Sequence, residues 1–570
     1  MTLKQRRQHA ASERNKALKA RLPKGHPSYG SKHPDKTSKR LARRILKVLE
    51  SSSLLPELNR RLRNHPGRQS RVSVKVLLLC VILAADDTSR YLRSDICSVM
   101  NGLNHRLGVQ LGLWTFDSRE PIGYTAVVKQ LQRLEMALLE TWHTSNGEVR
   151  SLDWFAHLML SDTIHPEIRA LITAASLDWT PIFAWGITRD FRVEAEVRAE
   201  QEPDDSGEIG TVDHEGRTVR SADRHARSGW ATATNSTPAG PFSGYYGHLV
   251  TPVRSATWSG NPALIFLGSL PPMFVPYAKA VPANTDTALT GRNAILATLE
   301  LFPGLKEVIA DRGYTAYREN FVRPLHRLGI NIVMDYTEYQ RKTIELVEVG
   351  PEDKEQTLRL HCGTFFPEWL AEKWHVPPRD KSGKALEEWY NNRAKFRWTP
   401  IGKGKNGAIR FRCPQCDGRI MTSAKTWRYR HRRTKPNPDI PNIGAIDTEY
   451  CCGGTVTIPV EKLDTYQLIP YGTTAWKKSY SRRNRIENVN GMIKDKGGLK
   501  RGWCRAFGLA AHNLGLVALV VAHNLQQAMK HEDSRPSAES NGHEPQSPTT
   551  TATPPSARSR NGMTIRGPPD

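Results

Sequence analysis

Near the C-terminal end of the chain, the stretch Tyr480-Ser-Arg-Arg483-Asn-Arg-Ile-Glu487-Asn-Val-Asn-Gly-Met-Ile-Lys494 sets a carboxylate among cations and a phenol. If it is helical, at about 100° per residue, Tyr480, Arg483, Glu487 and Lys494 fall inside an arc of roughly 60°. Buried charge is costly unless paired, so such a face is poor core material, but it suits a metal ion or a phosphate. Any single pair on it, such as Arg483 with Glu487 four residues on, would by itself be an ordinary solvated ion pair. Two further carboxylates upstream shift that balance.

Asp178 closes the apolar run that starts at Leu171, and Asp311 closes Leu305-Lys-Glu-Val-Ile-Ala-Asp311-Arg-Gly313-Tyr314. Both read as short buried strands that deliver an acid at their ends, as open sheets do for catalytic groups, with Gly313 allowing a sharp turn. The plainer reading is that a strand-end Asp caps a turn. Asp153 competes with Asp178, but it leads straight into a helix-like segment and reads as its N-terminal cap. Two strand-end acids and one on a late helix are what two-metal phosphoryl transfer asks of a scaffold, with ions about 3.5–4 Å apart bridged by carboxylates. Hard oxygen ligands select Mg²⁺, with Mn²⁺ as a substitute.

The order Asp178, Asp311, Glu487, with the last inside Tyr480-x2-Arg483-x3-Glu487-x6-Lys494, resembles the insertion-sequence DDE transposases that carry the Tyr-Arg-Glu-Lys signature. Asp178-Trp-Thr180 is similar to that group's Asp-Gly-Thr motif, with Trp in place of Gly, and Ala310-Asp311-Arg-Gly313-Tyr314 is similar to its second motif. The resemblance covers roughly residues 170–336 and 466–527. It implies an α/β, RNase H-like fold, a mixed sheet flanked by helices, in which the first and fourth strands are neighbours and hold the two Asp residues. The third acid then comes from a later helix, after an insert. Carried over, Asp178, Asp311 and Glu487 hold two Mg²⁺ (or Mn²⁺) ions and are catalytic, while Tyr480, Arg483 and Lys494 grip DNA near the cleaved end. The implied reaction is attack by water on a phosphodiester at the element's end, then attack by the freed 3′-hydroxyl on target DNA. Two other readings are a DNA-binding relative that has lost chemistry and an RNase H-like nuclease without strand transfer. Acting on two DNA ends implies at least a dimer.

The elements that must position these residues follow in order. Residues 1–53 form a basic arm that could lie along phosphates or be a solvated tail. Residues 54–165 have helical periodicity, with helices expected over 74–85, 91–100 and 124–142; they read either as a DNA-binding domain or as a cap packed on the core. Residues 166–336 form the first part of the core, with strands expected over 245–254, 263–267 and 331–334 and a helix over 286–301. Residues 337–465 are an insert of charged helix-like pieces and Pro-rich turns. Residues 466–530 resume the core with a strand over 466–470, the signature helix, and an apolar helix over 507–529 whose His512-Asn513 and His523-Asn524 share a face and read as structural. Residues 531–570 read as disordered.

The insert carries Cys362, the Cys413-x2-Cys416 pair followed by Gly418, and Cys451-Cys452, which could form a structural zinc site; free thiols are the alternative. Between them, Lys425 to Arg433 interleaves aromatics with Arg, as a DNA-gripping ribbon or a solvated basic face would. Over the whole chain, 82 Lys and Arg face 57 Asp and Glu, a formal charge of +25 that points to nucleic acid as partner. No hydrophobic signal core opens the chain and its longest apolar runs fall short of the roughly 20 residues that span a bilayer. Together with the cysteine pattern, this points to the cytoplasm of a bacterium, and to the nucleoid when the protein acts.

Overall fold

The computed structural model describes residues 36–533, apart from 52, 64–69, 145, 186, 191–210, 213–217, 222, 232–239, 256–270, 316–318, 351–355, 379, 421–453, 495–497 and 501. Its centre is a mixed sheet of six strands: β1 Ala174–Phe183, β2 Arg227–Ala231, β3 Gly240–Pro252, β4 Tyr277–Pro282, β5 Glu307–Ala310 and β6 Asn331–Met334. Across the sheet the order is β6, β5, β1, β3, with β2 and β4 both paired to the far edge of β3. β6, β5 and β1 run parallel, whereas β3 is antiparallel to β1, β2 and β4. The Val-Ile-Ala and Ile-Val-Met runs of β5 and β6 are buried on both faces, as parallel strands covered by helices must be.

The period of two divides these strands between two cores. Ala175, Leu177, Val308, Ala310, Ile332 and Met334 pack on one face, while Ala174, Ile309 and Val333 pack on the other, against Trp476. Asp178 and Asp311 fall by parity on the Trp476 face, the face the signature helix covers.

Among the described residues outside the insert, the main helices are α1 Lys36–Ser51, α2 Leu54–Arg63, α3 Val74–Thr88, α4 Arg93–Gly102, α5 Tyr124–Leu139, α6 Leu152–Ser161, α7 Thr287–Leu301, α8 Thr474–Tyr480, α9 Asn484–Lys494 and α10 Leu509–Asp533, with shorter helical turns between. One continuous hydrophobic cluster takes in Leu41 and Ile45 of α1, most of α3, Val127 and Leu131 of α5, Leu249 of β3, Ile486 and Val489 of α9, and Leu516 and Val520 of α10. The helical region expected over 54–165 therefore shares its core with the sheet. The basic arm expected over 1–53 is likewise shortened: from Lys36 the chain is an amphipathic helix whose apolar side is buried, and residues 1–35 lie outside the described residues. Among the described residues no helix is long and apolar enough to cross a membrane.

α10 shows why His512-Asn513 and His523-Asn524 recur. The N–H and C=O of Ala280 both pair with the Asn513 amide (2.8 Å each), and those of Val275 pair with the Asn524 amide (2.8 and 3.0 Å). Eleven helical residues and five extended ones both span about 16 Å, so the spacing lets one helix line the free edge of β4 with amides.

Three expectations change, and a fourth falls on residues outside those described. The strand expected over 466–470 is absent, because the edge of β6 is satisfied by side chains instead: Met334 N–H donates to Gln467 Oε1 (3.1 Å), and Trp476 Nε1 donates to the Met334 carbonyl (3.2 Å). The strand expected over 263–267 lies outside the described residues, and β4 takes the place beside β3. The helix expected over 124–142 stops at Leu139, since Trp142 starts a two-residue strand paired to Val149–Arg150. The insert holds the expected helical pieces, among them Glu338–Lys342 and Gly383–Arg393, but also strands: Glu345–Val349, Gln356–His361 and Thr364–Pro367 form one antiparallel sheet, and Thr399–Lys403, Ile409–Arg412 and Thr455–Ile458 another. Alternate residues Leu358, Leu360, Ile409, Phe411, Val456 and Ile458 meet in a common core, a period of two that the charged residues between them hide.

Candidate active site

Parallel register brings the acids together. Ala310 lies opposite Leu177, so the next residues, Asp311 and Asp178, stand side by side. Met334 lies opposite Ala310, so Asp335 is next in the row. Asp178 does not end its strand, as expected from sequence. β1 runs on to Phe183 because Trp179, Thr180 and Ile182 keep pairing with His248, Gly247 and Tyr245 of β3. What ends at Leu177 is the parallel pairing with β5.

Asp311 is held by its own turn, the Gly313 N–H donating to its Oδ1 at 2.9 Å. Gly313 sits in the helical turn Arg312–Thr315, so it is required for space rather than for a sharp reversal. A Cβ there would lie 3.0 Å from Trp179 Nε1 and 3.1 Å from Asp311 Oδ1. The following Tyr314 is fully buried, pressed against Gly291 of α7, and its hydroxyl meets His248 Nδ1 at 3.0 Å. The Asp-Arg-Gly-Tyr run is thus a device for fixing one carboxylate.

The signature stretch is not one regular helix. α8 ends at Tyr480, Ser481–Arg483 form a 3₁₀ turn, and α9 follows. Its arginines divide the work. Arg482 donates to the carbonyls of Arg254 (2.9 Å) and Ser479 (3.0 Å) and pairs with Glu307, and Arg485 donates to the Pro271 carbonyl. These two pin the segment against the sheet. Arg483 instead faces the acids: its Nη2 is 2.9 Å from Asp178 Oδ1 and 3.7 Å from Asp311 Oδ2, and its Nη1 pairs with Glu487. Asn490 Nδ2 donates to the second oxygen of Asp178 at 3.1 Å. Arg483, Glu487, Asn490 and Lys494 recur at four, three and four residues, the stripe that one helix face presents. The three sequence-predicted acids and Arg483 are therefore together, and the Tyr480 ring stacks on Trp476 at 4.7 Å beside them.

Burial tunes the site. The Asp178 carboxyl is pushed up to about 6 by desolvation and by Asp311, against the pull of Arg483. Asp311 is raised for the same reason, with Asp335 adding to the rise and Arg483 opposing it. Burial works against the charge of Arg483, yet Asp178, Tyr480, Asp311 and Glu487 together hold it above its ordinary value. Lys494 is lowered by burial and partly restored by Asp178, which places its ammonium within electrostatic reach of that acid. Glu487, half exposed, is the acid that meets solvent.

Two residues here were not picked out from sequence. Asp335 follows an apolar strand just as Asp311 does, and that signal was available. Asn490 carries no charge, and only its place three residues after Glu487 marks it. Asp153, the competitor, is in the first turn of α6, where Ser151 is the N-cap, and it pairs with Lys279.

The cysteines behave differently. Cys362 sits at the hairpin turn of the first insert sheet, with φ 45°, buried in the same cluster as Tyr336, and its thiol is pushed up to about 12 by burial. Cys413 belongs to the core between the two insert sheets; its N–H donates to Gly454 O at 3.1 Å, and its C=O accepts from Asp417 N–H at 2.9 Å in a knuckle-like turn with Cys416. Cys362 thus packs in a different core from Cys413. Cys451, Cys452 and the basic ribbon Lys425 to Arg433 lie outside the described residues. Among the described residues no three Cys, His, Asp or Glu side chains close directly on one point as metal ligands; at the acid cluster the Arg483 guanidinium stands between them. No protein-family model matches this sequence, and no curated protein matches it.

Proposed function

We propose that the protein is a DDE-type DNA transposase that cuts DNA at the ends of a mobile element and joins the freed 3′-hydroxyl to target DNA. The observation that carries this reading is the convergence of Asp178, Asp311 and Glu487, from two adjacent parallel strands and a much later helix, on one guanidinium. The strand order supports an RNase H-like fold: an antiparallel meander β1-β3-β4 with β5 and β6 parallel to β1 on its other side. The formal charge of +25 suits a DNA partner. Acting on two ends calls for at least two copies of the chain, at work in the bacterial cytoplasm.

The donor set fits divalent cations, since three hard carboxylates already surround one positive charge. When bound, two such ions would activate the attacking oxygen and neutralise the leaving one, with Asp178, Asp311 and Glu487 as their ligands. The chain's own residues do the rest. Asn490 fixes the orientation of Asp178, and the Gly313 N–H fixes that of Asp311. The buried floor of the cleft excludes water and strengthens every charge interaction in it. Lys494 and Arg483 offer cations to the phosphate oxygens, and Tyr480, held by its stack on Trp476, bounds the strand path.

The test that separates this reading from a nuclease uses the DNA flanking the reading frame. A duplex of its end, pre-cut to leave a 3′-hydroxyl, is incubated with the protein, Mg²⁺ and a supercoiled plasmid. Joined product is expected; cleavage without joining would replace transposase with nuclease.

A further inference from the structure

Arg482 and Arg485 are anchored to backbone carbonyls, but the hydrogen-bond partners of Arg483 are carboxylates alone. Its Nε has no partner, and one side of its guanidinium opens toward the half-exposed Glu487. The group can leave without breaking any bond that holds the fold. It also cannot stay: a guanidinium touching Asp178, Asp311 and Glu487 occupies the oxygen atoms that a divalent cation would need, and two like charges on the same acids repel.

We infer that Arg483 is an exchangeable counter-ion, which competes with divalent cations for Asp178, Asp311 and Glu487 and passes to a DNA phosphate when they bind. This rests on the metal-dependent reading above. The acids remain neutralised throughout, first by the guanidinium and then by metal, so the cluster never stands as three unpaired carboxylates in a partly buried cleft. The freed guanidinium is a bidentate donor at the mouth of the site, where a phosphodiester must lie. Exchange at one residue couples the two ligands: DNA that captures Arg483 strengthens metal binding, and metal that releases Arg483 strengthens DNA binding by the same factor. Lys494 cannot substitute, because it makes no hydrogen bond to the acids and influences Asp178 only at a distance.

The experiment is calorimetric titration of Mn²⁺ into wild-type protein, Arg483→Gln, Arg483→Lys and Asp178→Ala, each with and without a short duplex of arbitrary sequence. Without DNA, Arg483→Gln should bind Mn²⁺ about tenfold or more tightly than wild type, since a competing cation is gone. Adding duplex should tighten Mn²⁺ binding in wild type and do so much less in Arg483→Gln. Equal Mn²⁺ affinity in wild type and Arg483→Gln, with Asp178→Ala binding none, would overturn the exchange and leave the metal reading standing. Absence of Mn²⁺ binding from all four proteins would overturn both. Should Arg483→Gln fail to fold, Arg483→Lys keeps a cation but cannot span three carboxylates, so a gain in the same direction but smaller is expected of it, and no gain would overturn the exchange. A wild-type measurement stands beside these: a slowly exchanging arginine Nε–H signal, absent from Arg483→Lys, should become fast on adding Mg²⁺, and an unchanged signal at saturating Mg²⁺ would contradict the exchange.

Discussion

Two sets of polar side chains lie against the central sheet, and they are satisfied in different ways. On α10, Asn513 and Asn524 spend their amides on the backbone of Ala280 and Val275, and His512 and His523 turn to the carbonyls of Gly508 and Met273. At the acid cluster, Asp178 and Glu487 instead share the guanidinium of Arg483, Asp178 takes a second bond from Asn490, and Asp311, fixed by the Gly313 N–H, stands 3.7 Å from the same arginine. A buried polar group bonded to backbone is part of the scaffold, while one bonded to a movable charge can trade that partner for another. On the proposed reading, that difference, rather than burial or polarity alone, separates structure from chemistry.

The comparison breaks most visibly under substitution. Asp178→Ala should lower Mg²⁺-dependent cleavage on the order of 10³-fold or more, beyond the 10–100-fold that residues behind the metal ligands cost. Its stability in urea should stay within about 1 kcal/mol of wild type. Asn524→Leu should do the reverse, removing about 2–4 kcal/mol of stability because the Val275 N–H and C=O are left buried without partners. Below its lowered melting temperature, its cleavage rate should match wild type. A large catalytic loss in the folded Asn524→Leu protein would erase the distinction.

Acid titration sharpens the contrast. The Asp178 carboxyl titrates near 6 in the folded chain, above its ordinary 3.8. The folded protein therefore holds a proton that the unfolded chain has released between these values. The stability Asp178 contributes is present at the acid end and is lost as pH rises through about 6. Metal needs the ionised form, so Mn²⁺ affinity should rise across the same interval and level off above it. His512 and His523 are lowered by burial, so α10 contributes with the opposite sign: the unfolded chain takes up those protons first, and the stability of the buried neutral imidazoles is lost as pH falls. A Mn²⁺ affinity flat between pH 5 and 7 would show that Asp178 is not a ligand.

Smaller effects are expected at the margins. Asp335→Asn should weaken Mn²⁺ binding only a few-fold, since Asp335 acts by adding negative potential beside Asp311. In the insert, a zinc ion bound in part by the Cys413–Cys416 turn would be lost in Cys413→Ser and kept in Cys362→Ser, as metal analysis of the purified variants would show. Zinc loss from Cys362→Ser would return that residue to the ligand set.

Much of this was legible in the sequence because the acids follow uninterrupted apolar strands and the signature residues recur at helical spacing. β6 and α7 were read almost to the residue, as their patterns are regular and Asp286 caps the helix through two backbone N–H groups. Legibility failed where a period of two was diluted by charge, as in the insert, or where side chains replaced a strand, as Gln467 does beside Met334. It failed at Asp178 for a topological reason: the residues after it looked like a turn, but they pair with β3 alone. Asp335 was overlooked although it repeats the Asp311 pattern, because only the parallel register reveals that it stands in the same row.

The most direct measurement is cleavage of a duplex from the flanking DNA by wild-type and Glu487→Ala proteins in Mg²⁺, with DNA binding followed in parallel by gel shift. The wild type should cut to leave a 3′-hydroxyl, and Glu487→Ala should bind the duplex with similar affinity and not cut it. Full cleavage by Glu487→Ala would contradict the assignment of these three acids to the chemistry.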